Sequence, residues 1–149
     1  MRISTRGRYS LRMMLDLATH YNEGYISLKD ISSRLKISRK YLEQIIPLLV
    51  RNKLLNSTKG HLGGYCLARD PALITVKEIL ESAEGSLAPV SCLDRNETNP
   101  FDDNGESLTI SVYEGLDRVV TDYLTSITLT DIINKNSSWC NVTSPSPNP

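Results

Sequence analysis

The sequence predicts a mainly α-helical fold with a small β-hairpin: a winged helix-turn-helix DNA-binding domain extended by a long dimerisation helix. Three observations point there. Two short stretches of helical apolar spacing, each opened by a serine, follow closely on a longer first helix. A glycine-rich, basic hairpin pattern comes directly after them. Beyond a long loop, apolar residues return at spacings of three and four over about 20 residues.

In chain order, Leu11, Met14, Leu15 and Ala18 recur after Thr5, which predicts a first helix over roughly residues 5–22, ending near Asn22-Glu23-Gly24. Ser27 is an N-cap and Asp30 a first-turn acid for a short second helix, with Ile31 and Leu35 facing inward. Ser38 caps a third, whose buried stripe is Leu42, Ile45, Ile46 and Leu49. Pro47 lies inside it and lacks a backbone donor, which predicts a bend. Two short helices joined by a tight turn are the core of a helix-turn-helix. Residues 54–58 and 65–68 read as strands around a basic tip, Lys59-Gly60-His61-Leu62-Gly63-Gly64, and such a hairpin is a wing.

Thr75 with Glu78 fits a capping box and starts a fourth helix to about Ala83. Residues 85–105, rich in Gly, Pro, Asn and Asp, read as a loop placed to sense an effector. Leu108, Val112, Leu116, Val119, Tyr123 and Ile127 then form one apolar face of the dimerisation helix. A short helix around residues 130–133 completes a 106–136 segment, and the Ser- and Pro-rich end, 137–149, reads as a disordered tail. The DNA-binding domain accordingly spans residues 1–84.

The 40% of hydrophobic residues is enough for one core in a chain of 149. A net charge of zero conceals a polarised chain: residues 1–69 hold 13 Lys+Arg against 4 Asp+Glu, a net +9, and residues 70–149 hold 4 against 13, a net −9. The basic half is suited to a polyanion, nucleic acid or a membrane surface, and the acidic half to another task. No apolar run approaches the roughly 18 residues of a membrane span, and the basic start is not followed by a signal-peptide core. A cytoplasmic protein without a membrane partner is expected. The odd set Cys66, Cys92 and Cys140 fits a reducing compartment, with Cys66 read as a small core residue of a wing strand. With only His20 and His61, and no nucleophile motif or metal-ligand spacing, neither an enzyme nor a metal site is expected.

The third helix turns Ser38, Arg39, Lys40, Tyr41, Glu43 and Gln44 outward. Arg and Lys suit phosphate or guanine, Gln suits adenine and Glu the cytosine amino group, although an ordinary solvated face has the same composition. Lys59 and His61 at the wing tip suit a minor groove, or are polar because tips are exposed. Arg2, Arg6, Arg8 and Arg12 stand where they would clamp phosphates together with the first helix's N-terminus, or are generic surface arginines.

Several of these residues fall in recognisable order. Arg2-Ile3-Ser4-Thr5-Arg6-Gly7-Arg8-Tyr9 leads into Leu15-Asp16-Leu17-Ala18. Then come Tyr41-Leu42-Glu43-Gln44, Gly60-His61-Leu62-Gly63-Gly64-Tyr65, Leu87-Ala88-Pro89-Val90-Ser91-Cys92 and Ile127-Thr128-Leu129-Thr130. Over about residues 1–135 this series resembles the Rrf2 family of bacterial transcription regulators. The resemblance implies a homodimer joined by crossed long helices, with residues 41–44 in the major groove of double-stranded DNA, the wing at the minor groove, and a pseudo-palindromic operator that is mostly repressed. Glu43 matches the position at which the family's iron–sulfur regulator discriminates between operators.

Cluster-binding members carry three cysteines close together after the fourth helix, because a cluster needs converging thiolates. Here Cys92 holds the first of those positions and residues 93–107 contain no second cysteine. The resemblance therefore leads to the cluster-free branch, exemplified by a cysteine-metabolism repressor, with no cofactor. Cys92 is left as a remnant of a lost site, a redox or small-thiol sensor, or a ligand of an unusual cluster. The signal is thiol oxidation, a small molecule or a docked metabolic enzyme. The rival readings are a cluster-dependent sensor with atypical ligands and an adaptor that binds protein instead of DNA.

Overall fold

Serine and threonine side chains start the helices. The Ser4 hydroxyl accepts from the Gly7 N–H at 3.1 Å and opens α1, Thr5–Thr19. Ser27 does the same for Asp30 at α2, Leu28–Leu35, and Ser38 for Tyr41 at α3, Arg39–Arg51. Thr75 and Glu78 cap one another reciprocally at α4, Val76–Glu84. Each cap satisfies an N–H that a helix start leaves without a partner. The computed structural model describes residues 1–93 and 106–134, and in the second stretch α5, Glu106–Thr125, is followed by α6, Leu129–Ile133, with a box made by Thr128 and Asp131.

The first helix is shorter than the spacing predicts. It stops at Thr19, and Tyr21–Glu23 form a separate 3-10 turn before Gly24 at φ 74°. The Asp16 carbonyl, which a continuing helix would need, accepts from the Thr19 hydroxyl at 2.7 Å and lies 2.8 Å from the His20 ring. After α2, Lys36 takes the left-handed conformation at φ 57°, and the Ser32 hydroxyl donates to the Ile37 carbonyl at 2.6 Å. That turn sets α3 across α2 as a helix-turn-helix. Pro47 lies within α3 without ending it.

The core forms around α1, which packs on α2, α3, α4, α6 and the hairpin. Leu11 and Leu15, assigned to its inner stripe, are half-buried, and Met13 and Leu17 are fully buried beside Met14, because α1 is covered on several sides. Ile31, Leu42, Ile45 and Leu49 meet them as expected, with Ile46 at the edge of the same core.

The wing is an antiparallel pair, β1 Leu55–Thr58 and β2 Gly64–Leu67, in the register Leu55↔Leu67 to Thr58↔Gly64. A third segment joins it: Ile26 and Tyr65 exchange two backbone hydrogen bonds of 2.9 and 2.8 Å. Gly64 is required there, since a Cβ would run into the Ile26 carbonyl oxygen. Cys66, expected in the core, is half-buried instead. Strand alternation turns its neighbours Tyr65 and Leu67 to the core and Cys66 to the other face.

Ile127 also differs from expectation. α5 ends at Thr125, and Ile127 is 5% exposed beside Val76 and Leu80, its carbonyl accepting from Val76 at 2.9 Å. It locks the end of α5 onto α4 and is no part of an open apolar face. The spacing from Tyr123 to Ile127 continues the helical rhythm by coincidence, across the turn at Ser126 where the helix has ended. Leu108, Val112, Leu116, Val119 and Tyr123 do lie exposed along α5. Most of the predicted loop, the tail and Cys140 lie outside the described residues.

Candidate nucleic-acid interface

At the start of α3, Ser38, Arg39, Lys40, Glu43 and Gln44 are exposed. Among the described residues, no ion pair or side-chain hydrogen bond engages Arg39, Lys40, Glu43 or Gln44, so their donors and acceptors face water. Tyr41 is placed differently from its neighbours. It is half-buried, with its ring edge-on to Tyr9 at 5.2 Å between centroids and 72° between planes. Position 41 borders the stripe of Leu42 and Ile45, so its ring props α3 against α1 and only part of it reaches the outer face.

Arg12 and Arg34 are engaged with other parts of the fold. Arg12 donates to the Leu35 carbonyl at 2.7 Å and lies 5.5 Å from the Tyr9 ring centre, a strut between α1 and the end of α2 and not a free phosphate clamp. Arg34 grips Asp16 with two bonds of 2.9 and 2.8 Å. Arg2, Arg6 and Arg8 are exposed around the start of α1, and Arg8 makes one bond, to the Thr5 hydroxyl at 3.1 Å. A surface cleft of about 520 Å³ lies between Arg2, Ile3, Ser4, Thr5 and Arg8. At the helix end, Glu84, from the last turn of α4, accepts from both the backbone N–H and the hydroxyl of the capping Ser4.

At the wing tip, the Gly63 N–H donates to the Gly60 carbonyl at 3.0 Å, which places His61 and Leu62 at the centre of a β-turn. Lys59 and His61 are exposed, as expected. Leu62, which sequence reasoning passed over, is 89% exposed, more than any other large apolar side chain described. Its signal was there to read, an apolar residue between a histidine and paired glycines where a turn favours polar ones.

Cys92 is half-buried in a 3-10 turn, Ser91–Leu93, against a cleft of about 290 Å³ that Thr109, Ile110 and Tyr113 of α5 also line. Among the described residues, no three His, Cys, Asp or Glu side chains come together as a metal site. No described helix is long and apolar enough to cross a membrane.

The sequence profile of the Rrf2 family, described as iron-dependent transcriptional regulators, matches residues 3–135. The HTH-type transcriptional regulator IscR of Photorhabdus laumondii is 37% identical over 134 residues, 90% of this chain and 80% of that protein. Among solved structures, IscR of T. potens is 35% identical with a TM-score of 0.69, over 91% of this chain and 88% of the other. CymR, the global cysteine regulator of B. subtilis, is 33% identical with the same TM-score, over 91% and 98%. These relatives are regulators, not enzymes. The iron in the family's description does not fit the thiols here, since Cys92 is the one cysteine of its loop and Cys66 stands on the wing. In fold and in sequence the chain is a member of the Rrf2 family of winged-helix transcriptional regulators.

Proposed function

We propose that the protein represses transcription as a homodimer that reads a pseudo-palindromic operator, without an iron–sulfur cluster, in response to a signal received near Cys92. The observation that carries this is the α3 face, where Arg39, Lys40, Glu43 and Gln44 stand exposed and, among the described residues, unpaired. Gln44 suits adenine and Glu43 the cytosine amino group, while Arg2, Arg6, Arg8 and Lys59 supply sequence-independent phosphate contacts. Leu62 joins Lys59 and His61 at the minor groove, where an apolar tip packs between the sugar walls. The exposed apolar row on α5 supports the dimer.

For the signal, the cleft beside Cys92 and its similarity to a cysteine regulator favour a small thiol or sulfur metabolite over a docked enzyme. The test is binding of anaerobically purified protein to genomic fragments that include its own upstream region, with iron content and absorption spectrum measured on the same sample. Selective binding by a colourless, iron-free dimer is expected. Glu43→Ala should reorder the preference among operator variants, and Gln44→Ala should cost about 1–3 kcal/mol at one base position. Binding without sequence preference would overturn the regulator, and a coloured, iron-loaded sample would overturn the cluster-free reading alone.

A further inference from the structure

We propose that Glu84 is a positioning residue for DNA binding, holding the N-terminal arginine arm in register from the far end of α4. The inference rests on the DNA-binding reading above. Glu84 Oε1 accepts both the Ser4 backbone N–H at 2.9 Å and the Ser4 hydroxyl at 2.6 Å, across 80 positions of sequence. The same hydroxyl accepts from the Gly7 N–H at 3.1 Å, so a relay of donors runs from the first turn of α1 through Ser4 to one carboxylate oxygen. Gly7 is part of the arrangement. A Cβ at that position would collide with Glu84 Oε1, so the absent side chain lets the carboxylate lie against the first turn.

The flanks give this latch its consequence. Arg2 lies two residues before the pinned serine, and Arg6 and Arg8 lie in the turn that follows. Ile3 packs on the small cluster of Val76, Leu80 and Ile127, so the arm is anchored twice, by an apolar contact and by the latch. Among the described residues Glu84 makes no ion pair with any of these arginines. Its bonds are given to Ser4, which leaves the guanidinium groups for another anion. The carboxylate also puts a negative charge beside the start of α1, which disfavours a phosphate there and leaves the phosphate contacts to the arginine side chains.

A carboxylate next to a DNA-facing surface has two opposed effects, and they can be separated. Its charge repels phosphates, so if charge were its whole effect, neutralising it would tighten binding and keeping it would change nothing. If positioning dominates, reach matters and charge does not. Glu84→Gln keeps the reach and an accepting oxygen while removing the charge. Glu84→Asp keeps the charge and withdraws the oxygen by one methylene.

Full-length protein is titrated with its operator fragment over a range of salt, and amide hydrogen exchange is followed at residues 4–8. We expect Glu84→Gln to bind as tightly as the parent or up to a few-fold tighter, and Glu84→Asp to bind about tenfold more weakly with a salt slope shallower by about 1, the loss of one phosphate contact. Exchange at residues 4–8 should rise in Glu84→Asp alone. Parental affinity and exchange in Glu84→Asp with tighter binding by Glu84→Gln would overturn the proposal. If the parent binds no DNA selectively, the regulator reading falls, while the exchange comparison still decides whether Glu84 holds the arm.

Discussion

Leu62 adds almost nothing to the fold, because its side chain is about as open to water there as in the unfolded chain, and its apolar surface can gain free energy only against a partner. Its replacement separates packing from charge. Leu62→Ser should leave the melting temperature unchanged, weaken operator binding several-fold and leave the salt slope as it was, whereas Lys59→Ala should make that slope shallower by about 1; titrations at three salt concentrations distinguish them. Ser10 shows the opposite case, a cost inside the fold. Its hydroxyl is fully buried in α1 and has no hydrogen-bond partner among the described residues. Ser10→Ala removes the unpaired group and favours the helix, so it should stabilise by about 1 kcal/mol and raise the melting temperature by a few degrees, read by calorimetry. At this scale the sequence showed the exposed polar face of α3 but not the placement of Tyr41, since an aromatic beside an apolar stripe fits either side until Tyr9 is seen against it. Nor could it show the Ser4–Glu84 pair, which only the tertiary fold brings together.

Helix starts were the most legible elements because a cap is a local event: Ser27, Ser38 and Thr75 each bond an N–H three residues on, and that spacing is written in the sequence. The ends were less so. His20 leaves α1 through side-chain competition for a carbonyl, and Ile127 keeps a helical spacing after the helix has stopped. The α4 cap carries a pH dependence. Burial raises the Glu78 pKa, but hydrogen bonds from the Thr75 backbone and from Arg69 outweigh it and hold the carboxyl below its ordinary 4.5. A depressed carboxyl stabilises the fold fully above that value and loses its contribution as pH falls through the lower, folded value. Glu78→Gln should therefore flatten the decline of melting temperature below about pH 4.5, and an unchanged acid limb would assign that decline to other carboxylates. The wing offers a steric test. Gly64→Ala forces β2 away from Ile26 and should cost about 1–3 kcal/mol, seen as a lower urea midpoint with the slope retained.

Across the whole molecule, the charge polarity and the α5 face divide the work. The basic half, with its net +9, would be drawn to any stretch of DNA, and charge alone does not choose a site. In the proposed dimer, selectivity needs two α3 helices held at a set distance, about 34 Å for half-sites one turn apart, and that spacing is assigned to α5. Its last turn packs on α4 through Leu124, which fixes its direction relative to the DNA-binding half. Its row of Leu108, Val112, Leu116, Val119 and Tyr123 is left between 38% and 85% exposed by the described chain, and so much apolar surface on one helix is characteristic of an interface. The sequence showed this row through its spacing, but not the partner, because a helix packed on its own core has the same rhythm. Leu116→Asp places a charge at the centre of the row, and the variant should sediment as a folded monomer with an unchanged helical spectrum. Its affinity for a single half-site should match that of the parent protein's domain, while its affinity for the full operator falls at least tenfold, because each half must now bind without the other. A Leu116→Asp variant that stays dimeric would move the interface away from α5, and with it the distance that makes the operator readable.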